Sequence, residues 1–338
     1  MNQLFCSMRT CGSTLDHWWL LGCVGFWISI SLATRSTAVG QETTFPPKDC
    51  QRILFLGDSI TYAGHYIAMI ETQFLLDGQS VEIINAGLPS ETCSGLSEPD
   101  HPFPRPDVHE RLIRCLEKCK PDAVVACYGM NDGIYHPFDE TRFKKYQDGI
   151  RGIIEATKQR NIHLTLLTPP PFDPLPFRKK NKLVKRDGES FAWFAIYENY
   201  DDDVLKKYAE WVLTQKEQVN VIDLREPVLR YVKEQRKTDP EFVMSNDGVH
   251  LDQQGHDVLA TTILQAWGYK PSYQTAARLN SLIEKRQLIY RDAWLTHIGH
   301  KRPRMKPRPS LEEANKSTVK LSSEIVSALT KVQHERRK

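Results

Sequence analysis

The sequence predicts an α/β fold, a three-layer sandwich in which helices cover both faces of a five-stranded parallel sheet. The first observation is that short apolar runs alternate five times with segments of helical periodicity. The second is that three of these runs end directly at Gly or Pro, a pattern typical of strands buried on both faces. Because this alternation builds βαβ units with right-handed crossovers, helices are expected on both sides of the sheet.

The strands follow from these runs in chain order. The first run leads into Gly57, and the second is followed by a turn that begins at Ala86. The third is an uninterrupted apolar run and is therefore expected at the centre of the sheet. Strands are predicted at residues 52–56, 81–85, 122–128, 163–168 and 219–224.

The segments between the strands carry apolar residues at helical spacing. In the first segment, Ile67, Ile70 and Phe74 recur at intervals of three or four. Helices are predicted at residues 62–76, 107–118, 139–159, 196–215, 226–236 and 254–267. Residues 172–194 are rich in proline and then in basic residues, so they form either a solvated insertion or a flap that helps to select the substrate.

The amino-terminal segment differs from this core. Residues 18–33 are an uncharged apolar run of 16 residues followed by small residues, which is typical of a secretory signal peptide. An uncleaved membrane anchor is the alternative, although 16 residues are short for a span. Residues 1–40 are therefore expected to direct export to the periplasm or the extracellular space, and residues 41–50 to form a linker.

The carboxyl-terminal segment differs as well. After a core at residues 51–270, residues 271–338 are expected to form a basic helical extension with helices at residues 276–295 and 311–333. Residues 301–309 lie between these helices and contain five Lys or Arg and three Pro. This stretch is interpreted as a solvated linker or as a contact with an anionic polymer.

Composition excludes several classes of function. The net charge of +3 over 338 residues is too small to indicate a nucleic-acid partner. The sequence has no zinc-finger spacing, no glycine-rich phosphate loop and no internal repeat, so neither a metal nor a cofactor is expected. The sequence does not indicate an oligomeric state. An odd number of cysteines follows residue 40, which leaves at least one free thiol: Cys50, Cys93, Cys115, Cys119 and Cys127.

Polar residues occur in loops at the ends of three strands and before the helix at 254–267. Ser59 follows the first strand, a turn at residues 87–90 follows the second, and Asn131 follows the third. Asp247 and His250 lie in the loop before the helix. Because the carboxyl ends of parallel strands meet at one edge of a sheet, we expect these residues to converge.

These residue types fit nucleophilic attack on an ester. A serine hydroxyl is a weak nucleophile that needs a neighbouring base, and His250 can accept its proton and later return it to the leaving group. Asp247 can hold the other ring nitrogen. The competing interpretation of Ser59 is a simple helix cap. Candidate donors to the oxyanion are the Asn131 amide, the Ser59 backbone N–H and the turn at residues 87–90.

Three short motifs carry these residues: Gly-Asp-Ser ending at Ser59, Gly-Met-Asn-Asp around Asn131, and Asp-Gly-Val-His ending at His250. In this order, over residues 53–267, the chain resembles the SGNH hydrolases, the GDSL esterase and lipase family. The resemblance implies a flavodoxin-like α/β/α fold at residues 51–270, ester hydrolysis by a serine nucleophile, and no metal.

One motif departs from the family pattern. The family's Asn-x-Gly-x-x-Gly corresponds to residues 85–90, and its last glycine, which supplies an oxyanion-hole N–H, is Ser90 here. A backbone N–H survives this replacement, so Ser90 is expected to donate if it can adopt the required φ, and Gly87 is the lesser candidate.

The sequence therefore predicts an exported serine esterase that acts through an acyl-enzyme on short-chain or acetyl esters of carbohydrates. A lysophospholipase or thioesterase of the same family is an alternative, and so is a non-catalytic carbohydrate-binding protein, which the change at Ser90 and the basic tail motivate. Two further interpretations are less favoured. One is a metal site formed by Asp247, His250 and His256. The other is a classical α/β-hydrolase, which needs a Gly-x-Ser-x-Gly turn, whereas position 61 is Thr. The expected partner is a small-molecule or carbohydrate ester, with membrane contact only if the leader is retained.

Overall fold

A parallel sheet organises the protein in a computed structural model that describes residues 45–47, 49–306 and 308–336. The strands are β1 (Arg52–Gly57), β2 (Glu82–Asn85), β3 (Ala123–Cys127), β4 (His163–Leu167), β5 (Leu183–Val184), β6 (Ile196–Tyr197) and β7 (Asn220–Ile222). The main sheet has the order β2-β1-β3-β4-β7 and is parallel throughout. This is the flavodoxin-like order, and it confirms the predicted fold class. The predicted signal peptide or anchor at residues 1–40 lies outside the described residues.

Helices cover the sheet and continue into the carboxyl-terminal extension. They are α1 (Ser59–Ala63), α2 (His65–Leu76), α3 (Leu112–Cys119), α4 (Glu140–Lys158), α5 (Leu175–Lys179), α6 (Lys206–Leu213), α7 (Arg225–Gln235), α8 (Gln253–Ala266), α9 (Ala277–Ile298) and α10 (Leu311–Arg336). On one side α2 packs against α8, and α8 packs against α7. Elsewhere α3 packs against α4, and α4 against β4.

The strand sequences explain the core. Residues 53–56 of β1 are fully buried, as are Ala123 and Val124 of β3, so both strands are covered on both faces. Burying such side chains stabilises the fold by roughly 25 cal/mol per Å² of apolar surface. The two strands therefore lie in the interior of the sheet, and the loops after β1 and β3 both start at its carboxyl edge.

Helix α9 protects the edge of the sheet. It packs against β2, α2 and α3, and Gln287 donates from Nε2 to the Ile83 carbonyl at 3.1 Å. An edge strand exposes backbone groups that invite further pairing, and a covering helix removes that hazard. Helix α10 packs on α9, and Tyr290 donates to Oδ1 of Asn315 at 2.7 Å. The extension is thus integrated with the sheet.

Two predicted helices differ from the structure. The helix expected at residues 62–76 is divided into α1 and α2 by Gly64, whose φ of +80° is left-handed. The Asn85 amide donates to the Thr61 carbonyl at 2.9 Å and so satisfies the end of α1. The helix expected at residues 196–215 begins instead with β6, because Ile196 and Tyr197 are buried and pair with β5.

The described part of the predicted linker is packed. Phe45 is buried, and its ring centroid lies 4.4 Å from that of Trp267.

All five cysteines after residue 40 are free and buried. Burial raises the pKa of the Cys50 thiol to about 11, so the thiol stays protonated at neutral pH, and a protonated thiol is a poor nucleophile. Among the helices described, none combines the length and apolar character needed to cross a membrane.

Candidate active site

Ser59, His250 and Asp247 form one chain of hydrogen bonds at the carboxyl edge of the sheet. Nε2 of His250 lies 2.8 Å from Oγ of Ser59, across 191 positions of sequence. Nδ1 of His250 lies 2.7 Å from Oδ2 of Asp247. Because an ionised carboxylate only accepts, Nδ1 carries the proton and Nε2 is free to accept from the serine hydroxyl.

A tight turn holds Asp247. Its Oδ1 accepts from the N–H groups of Val249 and His250 at 3.0 and 2.8 Å, and from Oγ of Ser245 at 2.9 Å. Gly248 adopts a φ of +69°, and a Cβ there would lie 2.2 Å from the Asp173 carbonyl oxygen. The Asp-Gly-Val-His motif therefore fixes the carboxylate before the substrate arrives.

Asp247 and His250 each stabilise the charged form of the other. Burial alone would raise the pKa of Asp247, but the hydrogen bond and charge of His250, with the two backbone N–H groups, hold it well below its usual range. The hydrogen bond to Asp247 raises the pKa of His250 above its ordinary value of 6.5, against the effect of burial. The side chain of His250 remains 53% exposed, so substrate can reach it.

Asp58 positions the serine. Its Oδ1 accepts from the N–H of Ile60 at 2.9 Å and caps α1, which leaves the Ser59 hydroxyl for His250. Asp58 is 4% exposed, and burial raises its pKa to about 7 although the Ile60 N–H and His250 oppose the shift. Ser59 is therefore not the residue whose side chain caps this helix.

Two backbone donors remain available near the serine. Within the described residues, no acceptor takes the N–H of Ser59 or of Ser90. The N–H of Gly87, in contrast, donates to Oδ1 of Asn85 at 2.9 Å, so Gly87 is not available as an oxyanion donor. A Cβ on Gly87 would lie 2.3 Å from the Tyr62 nitrogen, so this position needs glycine for close packing against α1.

Ser90 adopts the backbone conformation that glycine favours. Its φ is +68°, in the left-handed region. Serine tolerates this region at a modest energetic cost, so the loop keeps its N–H in the geometry that a glycine would give.

The amide of Asn131 is held by groups that the sequence did not indicate. Nδ2 donates to the Glu91 carbonyl at 3.2 Å and, over a longer distance of 3.4 Å, to Oδ2 of Asp58. The hydroxyl of Tyr135 donates to Oδ1 at 2.8 Å, which fixes the orientation of the amide. Tyr135 lies four positions after Asn131, and nothing in its local sequence distinguishes it from other tyrosines.

A buried ion pair supports the loop after β2, which carries Glu91. Arg111 donates from Nε and Nη2 to the Glu91 carboxylate, each at 2.6 Å, and from Nη2 to the Ala86 carbonyl at 2.7 Å. The Tyr128 hydroxyl donates to the same carboxylate at 2.6 Å. Both charged side chains are essentially inaccessible to solvent. The pair therefore joins the loop after β2 to the residue that precedes α3.

We expect Arg111→Leu to destabilise the protein by about 3–5 kcal/mol, because it leaves the Glu91 carboxylate buried without its partner. Urea unfolding followed by circular dichroism measures the change. Lys144→Met is the control: it removes an exposed ion pair with Asp148 and should cost no more than about 0.5 kcal/mol. A change for Arg111→Leu as small as that of the control would contradict the supporting role of this pair.

The described residues contain no group of three or more His, Cys, Asp or Glu side chains arranged to hold a metal ion.

A sequence model of the GDSL-like lipase/acylhydrolase family matches residues 55–258. The chain belongs to this family of ester-cleaving hydrolases. The match spans the loop of Ser59 and the loop of His250, so the hydrogen-bonded chain of this GDSL-family protein lies within it.

Several solved structures are similar to this chain. A gut microbial diltiazem-metabolizing enzyme is similar with a TM-score of 0.51 and 20% identity, over 67% of this chain and 49% of that one. The chain thus spans about half of that enzyme's length. An acetylxylan esterase from Geobacillus stearothermophilus has a TM-score of 0.47 and 20% identity, over 65% of this chain and 95% of its own. A GDSL-like lipase from Bacteroides thetaiotaomicron has a TM-score of 0.41 and 18% identity, over 64% and 88%. No curated protein matches the sequence.

Proposed function

We propose that the protein is a serine esterase that removes acetyl or other short acyl groups from carbohydrates. The observation that carries this proposal is the continuous chain from Ser59 through His250 to Asp247, with distances of 2.8 and 2.7 Å. A simple binding protein on this fold has no need for a polarised serine. The family membership supports the same reaction class.

The first half of the reaction forms an acyl-enzyme. Oγ of Ser59 attacks the ester carbonyl while its proton moves to Nε2 of His250. The N–H groups of Ser59 and Ser90 stabilise the oxyanion, together with the Asn131 amide once it exchanges its long 3.4 Å bond to Asp58 for the substrate oxygen. Losing one such donor costs roughly 2.7–4 kcal/mol. The imidazolium, held by Asp247, then gives its proton to the departing alkoxide, and the alcohol leaves.

The second half regenerates the serine. His250, again neutral, takes a proton from water as the water oxygen attacks the acyl carbonyl. The tetrahedral intermediate collapses, Nε2 returns the proton to Oγ of Ser59, and the carboxylic acid leaves. Asp247 keeps the same tautomer of His250 in both halves, so one base serves both steps.

The insertion at residues 172–194 supports a short acyl group. It contributes the five-residue helix α5 rather than a long apolar lid. It contacts the Asp247 loop, since Lys180 donates to the Asn246 carbonyl at 2.8 Å and the Asp173 N–H donates to Gly248 at 2.9 Å. Trp193 and Phe194 on the same insertion are 49% and 41% exposed. Stacking of an exposed aromatic ring on the apolar face of a sugar is more favourable than leaving that ring in water.

A series of p-nitrophenyl esters together with acetylated xylan tests the substrate class. We expect kcat/KM to be highest for acetate and to fall with acyl length, and acetate to be released from xylan. A sharp preference for decanoate would favour the lysophospholipase or thioesterase alternative. Binding of xylan without hydrolysis of any ester would favour the non-catalytic alternative.

A further inference from the structure

A cavity of about 480 Å³ lies beside the candidate active site, and it is built in part by the carboxyl-terminal extension. One wall is Tyr62 and Pro89. The other is the basic segment, defined here as residues 301–306 and 308, which contributes Arg302, Arg304, Lys306 and Arg308. Its volume is in the range typical of ligand sites.

The first wall adjoins the reaction centre directly. Tyr62 lies three positions after Ser59 on α1, so the two residues are neighbours on the helix surface, with Cβ atoms about 5–6 Å apart. Pro89 immediately precedes Ser90, whose N–H is a proposed oxyanion donor. The cavity therefore borders both the helix that begins at Ser59 and the loop that carries Ser90.

Specific contacts hold the basic segment in place. Arg302 donates from Nε to the Pro89 carbonyl at 2.8 Å, and its guanidinium lies 4.9 Å from the centre of the Phe103 ring. Tyr62 is held by Arg291 of α9, which donates to the Tyr62 carbonyl at 2.8 Å and stacks 3.6 Å from the Tyr62 ring centre. The cavity is thus a defined feature of the fold.

The cavity is strongly cationic. Arg308 pairs with Asp292 at 3.3 Å, and Asp292 also accepts from Arg291 at 2.9 Å. In the part of the chain that the structure describes, Arg304 and Lys306 form no ion pair. Because Asp292 is shared between two arginines, the lining retains an excess of positive charge that an anionic group can neutralise.

We infer that this cavity is an anion-binding subsite, which takes a carboxylate or sulfate group of an acidic polysaccharide while an acyl ester of the same polymer lies at Ser59. The inference rests on the esterase activity proposed above. It assigns the basic segment to substrate recognition: planar guanidinium groups match the oxygens of both anions. The substrate class is then an acylated acidic polysaccharide.

The test compares wild type with Arg304→Gln/Lys306→Gln on acetylated polygalacturonate, an acetylated sulfated galactan, neutral acetylated glucomannan and p-nitrophenyl acetate. We expect wild type to favour one of the acidic polymers, and that choice distinguishes carboxylate from sulfate. The variant should raise KM for that polymer at least about tenfold with kcat retained, because charge-assisted contacts are lost. Rates on glucomannan and p-nitrophenyl acetate should not change.

Lys320→Gln/Lys331→Gln on α10 is the control, since it removes the same charge from outside the cavity. It should leave KM for the acidic polymer unchanged. Equal wild-type KM for acidic and neutral polymers would overturn the subsite, as would equal effects of both double variants. Calorimetry with unacetylated oligogalacturonate and with sulfated galactan oligomers separates the subsite from the proposed esterase activity. Binding that Arg304→Gln/Lys306→Gln abolishes supports the subsite even if no ester is cleaved. If neither oligomer binds, the subsite is overturned.

Discussion

Ser59→Ala is expected to lower kcat for p-nitrophenyl acetate by at least about 10⁴-fold, with little change in KM. The hydroxyl oxygen is the atom that forms the acyl bond in the proposed mechanism, and alanine leaves the site with a proton acceptor, His250, but no nucleophile. The oxyanion donors are backbone groups and Asn131, so they persist in the variant and account for any residual rate.

The fold should not change in this variant. Asp58, not Ser59, supplies the side chain that caps α1, so removing the hydroxyl costs no cap. Thermal unfolding should therefore match wild type. Ser323→Ala, at an exposed serine on α10, is the matched control and should keep full activity. A phosphonate ester that labels wild type at one serine should fail to label Ser59→Ala. Retained hydrolysis in Ser59→Ala, with the protein folded, would remove Ser59 from the mechanism.

The sheet and the convergence of Ser59 with Asn131 were predictable for one physical reason. Hydrophobic periodicity located the strands, and a parallel sheet places the carboxyl ends of its strands at one edge. Ser59 follows β1 and Asn131 follows β3, and these strands are neighbours in the sheet where its winding reverses. The sequence spacing of the motifs therefore translated directly into proximity.

What the sequence did not reveal depends on long-range contacts. Gly64 breaks a continuous helical pattern because Asn85, on another strand, caps the first half. Gly87 is a reasonable oxyanion donor by sequence, but its N–H donates to the Asn85 side chain. The basic segment has the composition of a solvated linker, yet Arg302 ties it to Pro89 beside the site. Local propensity carries no information about such partners.

The last prediction concerns Asp247→Asn, which is expected to lower kcat by about 10⁴-fold, the size of the effect that the same substitution has in serine proteases. An asparagine amide can stabilise the tautomer with the proton on Nε2, which cannot accept from Ser59. The variant also lacks the charge that stabilises the imidazolium in the transition state. Both effects act on kcat and leave the substrate contacts intact.

The pH dependence separates this role from a structural one. In wild type, kcat/KM should rise with pH through the pKa of His250, which lies above 6.5 because of Asp247. Asp247→Asn removes the principal cause of that shift, so the acid limb of the profile should move to lower pH. Profiles of kcat/KM between about pH 5 and about pH 9 measure the displacement. Asp239→Asn, at an exposed carboxylate, should leave the profile unchanged.

Stability gives the complementary signal. Because the folded-state pKa of Asp247 is depressed, its ionised form stabilises wild type above the unfolded-state pKa, and that stabilisation is lost as pH falls through the folded-state value. Asp247→Asn should therefore unfold more easily at neutral pH, and its stability should depend less on pH in acid. If kcat fell while the acid limb stayed in place, Asp247 would be holding the loop and not tuning His250, and the base would need another partner.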